Sequence, residues 1–260
     1  MLNDRLLTDP LQRSAPGVSM FVGTSVLVTG GGSGLGAALA KMLAQAGAHV
    51  MIGDRNVEAA RRVVRDVMSD KGDCLLQVTE LDVGDPASAE RTVAATVEAF
   101  GKIDVLINNA GTDVTVPLEM LAFDEWDRVI RTNLYGPYLM SKAAVHRMKQ
   151  AGRGQIVNIA STAAKRAWPN ASAYHASKWG LLGFSHALHA ELRPDNIKVT
   201  AVIAGGMRTP FLLDRFPDID LGTLQNPANV AQAVMSLLML PEETVIAELT
   251  VLPMRETSWP

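Results

Sequence analysis

The sequence predicts a single-domain α/β protein built on a doubly wound parallel sheet of about seven strands, with helices on both faces. Three observations predict it. Short β-branched runs alternate with longer segments that carry apolar residues at helical spacing, and this alternation implies parallel strands joined by right-handed crossovers. The strand candidates are apolar almost throughout rather than at every second residue, as strands covered on both faces are. Small or polar residues follow six of these strands in succession, at the strand ends where such sheets bind ligands.

The first strand, residues 25–29, runs directly into Thr29-Gly-Gly-Gly-Ser-Gly-Leu-Gly36. Leu35, Leu39, Met42, Leu43 and Ala46 then recur at helical spacing. Glycines between a strand and a helix let the backbone approach a pyrophosphate, while the helix amino terminus offers unpaired N–H groups. Gly30, Gly32, Ser33, Gly34, Leu35 and Gly36 are therefore candidate cofactor contacts. Gly32-x-Gly34-x-x-Ala37 fits the general dinucleotide fingerprint, and no lysine follows to make a nucleoside-triphosphate loop. The second strand, 49–53, ends at Asp54. A carboxylate there accepts hydrogen bonds from both ribose hydroxyls and repels a 2′-phosphate, so NAD is favoured over NADP. Arg55 pulls the other way if its guanidinium meets that phosphate; otherwise it is a solvated side chain at a helix start.

The third strand, 74–81, is followed by Asp82 and Val83, and the fourth, 104–108, by Asn109, Ala110 and Gly111 after Asn108. The fifth, 155–160, delivers Ser161. A helix from about residue 174 to about 192 opens on Tyr174-His-Ala-Ser-Lys178. Residues four apart share a helix face, so the phenol and the ammonium can approach one substrate. A free tyrosine, with a pKa near ~10, is a poor base at neutral pH; a neighbouring ammonium and an oxidised nicotinamide both favour phenolate. The sixth strand, 198–203, leads into Gly205 to Thr209, and the seventh spans 248–252.

Composition excludes several functions. The chain has 24 basic and 27 acidic residues and a net charge of −3, which favours neither nucleic acid nor an anionic membrane. Its single cysteine, Cys74, precludes an intrachain disulfide, and the five histidines show no metal-ligand spacing. No metal and no membrane span are expected, and a cytoplasmic setting fits. Residues 1–20 read as a flexible arm, or one that wraps a partner subunit, ahead of a catalytic domain over residues 21–260.

From about residue 25 onward the chain resembles the short-chain dehydrogenase/reductase family, a Rossmann-fold family. The resemblance is carried by the glycine run, Asp82-Val83, Asn108-Asn-Ala-Gly111, Asn133, Ser161 and Tyr174-x-x-x-Lys178, with the serine thirteen residues before the tyrosine. It implies hydride transfer between NAD(H) and a secondary alcohol or ketone. Tyr174 would exchange the proton and Ser161 orient the substrate oxygen. Lys178 would bind the nicotinamide ribose and lower the tyrosine pKa, and Asn133 would hold a relay water. Asp82 and Val83 would contact adenine, Asn108 and Gly111 would shape the central crevice, and Thr209 matches the nicotinamide carboxamide position. Two departures stand out. Ala204-Gly205 occupies the usual Pro-Gly position, so the loop after the sixth strand is expected to be more mobile, and Thr200 replaces a frequent asparagine.

Substrate selection is expected in residues 162–173, with Lys165, Arg166 and Trp168, and in 207–226. There Phe211, Leu212, Leu213 and Phe216 predict an amphipathic lid helix or, equally, an ordinary surface helix. Leu134, Tyr138 and Leu139, and Leu181, Leu182, Phe184 and Leu188, make two helices apolar on more than one face, which suits packing against a second subunit; the resemblance implies a homodimer or homotetramer built on these helices, with Trp259 read as a further contact. His175 is read as a bystander or pocket rim. Alternatives are an NADPH-dependent 3-oxoacyl reductase, kept open by Arg55, and a non-catalytic nucleotide-sensing or scaffold protein, which has no need of a tuned phenol.

Overall fold

The computed structural model describes residues 20–70 and 76–256. The expected amino-terminal arm, apart from Met20, and the tail residue Trp259 lie outside them, as does Cys74. The described chain forms one seven-stranded parallel sheet in the order β3-β2-β1-β4-β5-β6-β7. Its strands are β1 (Ser25–Thr29), β2 (His49–Asp54), β3 (Leu76–Glu80), β4 (Val105–Asn108), β5 (Gly154–Ile159), β6 (Ile197–Ala204) and β7 (Glu248–Val251). The expected strands all form, β1 with the expected ends and the others with described ends within one or two residues of them; residues 74–75 of the third lie outside the described residues.

Successive strand residues point to opposite faces, and both faces are apolar. On one, Val26 and Val28 of β1 join Val50 and Ile52 of β2 and Val105 and Ile107 of β4 beneath α1 (Gly34–Gln45) and α8 (Pro227–Leu238). On the other, Leu27, Met51 and Leu106 lie with Met140, Ala144 and Met148 of α5 (Gly136–Ala151) and Val93 of α3 (Pro86–Phe100). The remaining helices are α2 (Val57–Asp70), α4 (Phe123–Ile130), α6 (Ser172–Leu192) and the single turn α7 (Pro210–Leu213).

Helix boundaries follow local chemistry. Asp85 caps α3 by accepting from the N–H groups of Ala87 and Ser88, with Pro86 in the first turn, and Gly101 ends the helix at φ 79°. Between α4 and α5 the chain winds as a π-helical turn, Arg131–Tyr135, which carries Asn133. A π turn inside a helix often marks a functional position.

The strand order reverses at β1 and β4, which opens a crevice at their carboxyl ends. Asn109 closes its floor: its side-chain amide donates to the carbonyls of Thr29 and Gly30, both at 3.0 Å. Among the described residues no helix is long and apolar enough to cross a membrane.

Candidate active site

The strand ends surround a cavity of about 730 Å³. Gly30, Ser33, Gly34 and Leu35 line one end with Asp54, Arg55, Asp82 and Val83; Asn109, Ala110 and Gly111 lie at the centre, and Ser161, Tyr174, Lys178, Gly205 and Thr209 toward the other end. These expected positions converge on one space.

Gly32 and Gly36 act differently. Gly32 does not line the cavity; its N–H donates to Asp54 Oδ2 at 2.8 Å, which orients the carboxylate. Gly36 also lies outside the lining, and a Cβ there would stand 2.2 Å from the Gly30 carbonyl oxygen. That glycine lets helix α1 pack against its own loop. Gly30 (φ 65°) would direct a Cβ to within 2.8 Å of the Ala110 Cα. A loop packed this closely, with glycine backbone open to the cavity at the amino end of a helix, fits a pyrophosphate. The remaining Asp54 oxygen, Oδ1, accepts from Asn56 N–H at 2.8 Å.

Tyr174 and Lys178 lie one turn apart on α6, both buried, with the ammonium 5.7 Å from the phenol ring centre. Burial pushes the Tyr174 phenol up to about 12; a hydrogen bond with Ser161 draws it down, the Asp113 carboxylate raises it and the Arg215 guanidinium lowers it. Burial lowers Lys178 to about 8. Its ammonium donates to the Ile159 carbonyl at 2.9 Å. The expected lowering of the phenol by this ammonium is therefore not what dominates here, because desolvation outweighs the charges near the ring. Ser161 Oγ accepts from Ala163 N–H at 3.2 Å, so its turn is held from within.

Asn133 is fully buried and does not line the cavity. Its carboxamide accepts from Thr112 N–H at 2.8 Å and donates to the Thr112 carbonyl at 2.8 Å and to Ser177 Oγ at 3.0 Å. Ser177 in turn donates to the Tyr174 carbonyl at 2.7 Å. Asn133 thus joins the loop after β4 to the helix that carries Tyr174. Asn108 pairs inside the sheet with its register neighbour Asn158, donating at 2.8 Å.

Several neighbours of the site escaped the sequence. Asp113 and Arg215 form an ion pair at 2.5 Å, and the guanidinium stacks over Phe211 at 4.1 Å. Phe211 lies 6.0 Å from the Tyr174 ring. The pair clasps the segment after β6 to the loop after β4. Arg128 bonds Thr112 Oγ1 and the Asp113 carbonyl from below. Partners so far apart in sequence leave no local signal.

Other expectations resolve differently. The segment expected as a lid or an ordinary surface helix forms one turn of helix, because Pro210 opens it and Pro217 cannot continue it; Phe211, Leu212, Phe216 and Ile219 line the cavity. Lys165 points away to Glu248 on β7 at 2.9 Å, and His186 meets the same carboxylate at 3.2 Å. Of the three residues singled out in 162–173, Trp168 lines the cavity and Lys165 and Arg166 do not. The loop after β6 is tied without proline: Gly205 N–H donates to Val251, Gly206 N–H to Glu256 Oε2, and Gln225 N–H to Gly206. Thr200 donates to the Ile246 carbonyl at 2.7 Å, bonding β6 to the approach to β7.

Hydride exchange with a nicotinamide dinucleotide uses a dinucleotide bed and a proton-exchanging group at the same strand ends, and residues suited to both line this cavity, the arrangement of dinucleotide-dependent oxidoreductases. Comparison with known proteins narrows that class. Over residues 24–220 the chain matches the family model described as short chain dehydrogenase, and it belongs to the short-chain dehydrogenase/reductase family. It is an oxidoreductase acting on CH–OH and C=O groups with a nicotinamide cofactor. It is 35% identical over 225 residues, 84% of this chain and 89% of the relative, to 2,5-dichloro-2,5-cyclohexadiene-1,4-diol dehydrogenase LinX of Sphingobium indicum. Among solved structures, the 3-ketoacyl-(acyl-carrier-protein) reductase of Brucella melitensis complexed with NADH superposes with a TM-score of 0.81 at 33% identity, covering 90% of this chain and 98% of that one. A metagenomic short-chain oxidoreductase in complex with NADP superposes at 0.79 and 32%, with 90% and 98% covered.

Proposed function

We propose that the protein is an NAD(H)-dependent dehydrogenase that interconverts a secondary alcohol and its ketone. The observation that carries this reading is the meeting of Ser161, Tyr174 and Lys178 in the cavity whose other end is the glycine cradle capped by Asp54. When bound, the nicotinamide supplies or accepts the hydride. Tyr174 Oη gives its proton to the substrate oxygen in reduction and takes it back in oxidation. Ser161 Oγ hydrogen-bonds that oxygen and holds it beside the phenol. Lys178 holds the cofactor ribose and supplies positive charge next to the phenol. Asn133 positions the Thr112 loop and α6 around them.

The substrate side is apolar where Trp168, Phe211, Phe216 and Ile219 face the cavity, with the Asp113–Arg215 pair at its edge. Such walls favour a ring-bearing alcohol or ketone, in keeping with the cyclic diol named for the Sphingobium relative. A broad panel of cyclic and linear alcohols and ketones, followed by nicotinamide absorbance, tests the reading. Turnover of cyclic secondary alcohols is expected, and failure of the whole panel with both cofactors would overturn it.

Preference for NAD rests on Asp54. Its carboxylate, aimed by Gly32 and Asn56, stands at the adenine-ribose end, where a 2′-phosphate would meet like charge. The second reading, an NADPH-dependent 3-oxoacyl reductase, is favoured by Arg55, which is exposed, lines the cavity and forms no ion pair among the described residues. Fluorescence titration is expected to show NADH binding at least about tenfold tighter than NADPH, roughly 1.4 kcal/mol. Asp54→Ala should narrow or invert that ratio, and tighter NADPH binding by the unaltered protein would overturn the preference for NAD.

We also assign the protein to a homodimer or homotetramer. Tyr135, Tyr138 and Trp179 are each more than 40% exposed on the π turn, α5 and α6, where a second copy would cover them.

A further inference from the structure

His175 follows Tyr174 and has no place in the chemistry described so far. Its ring nevertheless makes two directed contacts. Nδ1 lies 2.9 Å from the Ala163 carbonyl, and Trp168 N–H donates to Nε2 at 3.1 Å. A carbonyl can only accept and a backbone N–H can only donate, so both bonds exist together in one form of the ring: the neutral tautomer with its proton on Nδ1. The Trp168 indole also packs edge-on against the imidazole, with ring centres 4.3 Å apart.

These contacts reach the site from two directions. Ala163 is the residue whose N–H donates to Ser161 Oγ, so the imidazole holds the far side of the serine's own turn. Trp168 lines the cavity on the substrate side, at 38% exposure. The segment bearing it is anchored at its start by Lys165 and Arg166 N–H on the Thr162 carbonyl, and at its end by Val116 N–H on Asn170, a residue at φ 66°. The bond from Trp168 to His175 ties the middle.

We propose that His175 is a positioning residue that seats Trp168 as a wall of the substrate pocket and thereby sets which substrates fit. The proposal rests on the alcohol/ketone reading of this site for its kinetic consequence, and on the imidazole contacts alone for its structural one. Because α6 rigidly carries both Tyr174 and His175, the wall is indexed to the phenol that exchanges the proton.

Two measurements test it. Long-range 1H–15N correlation spectra of the full-length protein are expected to show His175 protonated at Nδ1 and bare at Nε2 near neutral pH. The opposite tautomer, or a rapidly averaging ring, would overturn the clamp. Kinetics then separate seating from general damage. With a bulky bicyclic ketone, His175→Phe should raise KM about tenfold and change kcat less than about threefold, whereas His175→Gln, which keeps a donor and an acceptor, should restore KM to within about threefold. Trp168→Ala should reproduce the rise. The pair His175→Phe with Trp168→Ala should be no worse than Trp168→Ala alone, because residues acting through one contact are not additive. Additive losses, or a fall in kcat without a rise in KM, would show that His175 acts elsewhere. Should no ketone turn over even with the unaltered protein, the catalytic reading fails by itself, and the tautomer spectrum still decides the clamp.

Discussion

Tyr174→Phe is expected to lower kcat by about 10³-fold, within the usual range for loss of a positioned acid or base, and to leave cofactor affinity within about threefold. The aromatic ring stays, so the buried packing around it survives; the phenolic oxygen and its hydrogen bond with Ser161 are what is lost. Retained turnover would remove Tyr174 from the reaction. The unaltered enzyme adds a pH test. Burial pushes the free protein's phenol up to about 12, so the proton needed for ketone reduction is present throughout the neutral range, whereas the phenolate needed for alcohol oxidation is scarce there. A cationic ring bound alongside draws the phenol down. Oxidation should therefore accelerate as the pH is raised from roughly 6 to 9, while reduction does not gain over the same interval. An oxidation rate independent of pH would contradict the assignment of Tyr174 as base.

Gly36→Ala is expected to have the second-largest effect, although Gly36 does not line the cavity. Its added Cβ would stand 2.2 Å from the Gly30 carbonyl oxygen and 2.5 Å from the Asn109 amide nitrogen. Both are held in place, Gly30 by its bond to Gly53 and Asn109 by its bonds to the Thr29 and Gly30 carbonyls. Relief requires α1 to move off the loop, which costs about 2–3 kcal/mol on the scale of overpacked cores and lowers Tm by roughly 5–10 °C for a domain of this size. The same movement opens the cradle, and cofactor Kd should rise by more than about tenfold. A Gly36 variant as stable and as tight-binding as the unaltered protein would show that the helix–loop contact is not what holds the cradle.

Much of the site was legible because the strand ends are legible. The glycine loop, Asp54, Asp82, Asn109, Ser161 and Gly205 each follow an apolar run in the chain, and parallel strands bring such positions to one edge whatever lies between them. Tyr174 and Lys178 were readable as a pair because helical spacing relates them directly. The same logic failed for Gly32 and Gly36. A glycine run announces close approach, but whether that approach is to a ligand or to the protein itself depends on what packs opposite, here Asp54 and Gly30.

By itself the sequence determined the sheet, its strand ends and the residues that gather there, since periodicity and turn chemistry are local properties that survive any arrangement of distant parts. Tertiary structure alone decided the rest. It turned Asn133 inward to brace two elements, sent Lys165 to Glu248 rather than to the pocket, and joined Asp113 to Arg215. It gave the His175 ring bonds to Ala163 and Trp168, where the sequence offered only a bystander or a pocket rim. Each of these depends on which long side chain meets which partner across the strand ends. Such meetings are set by packing between segments far apart in the chain, which no local pattern encodes.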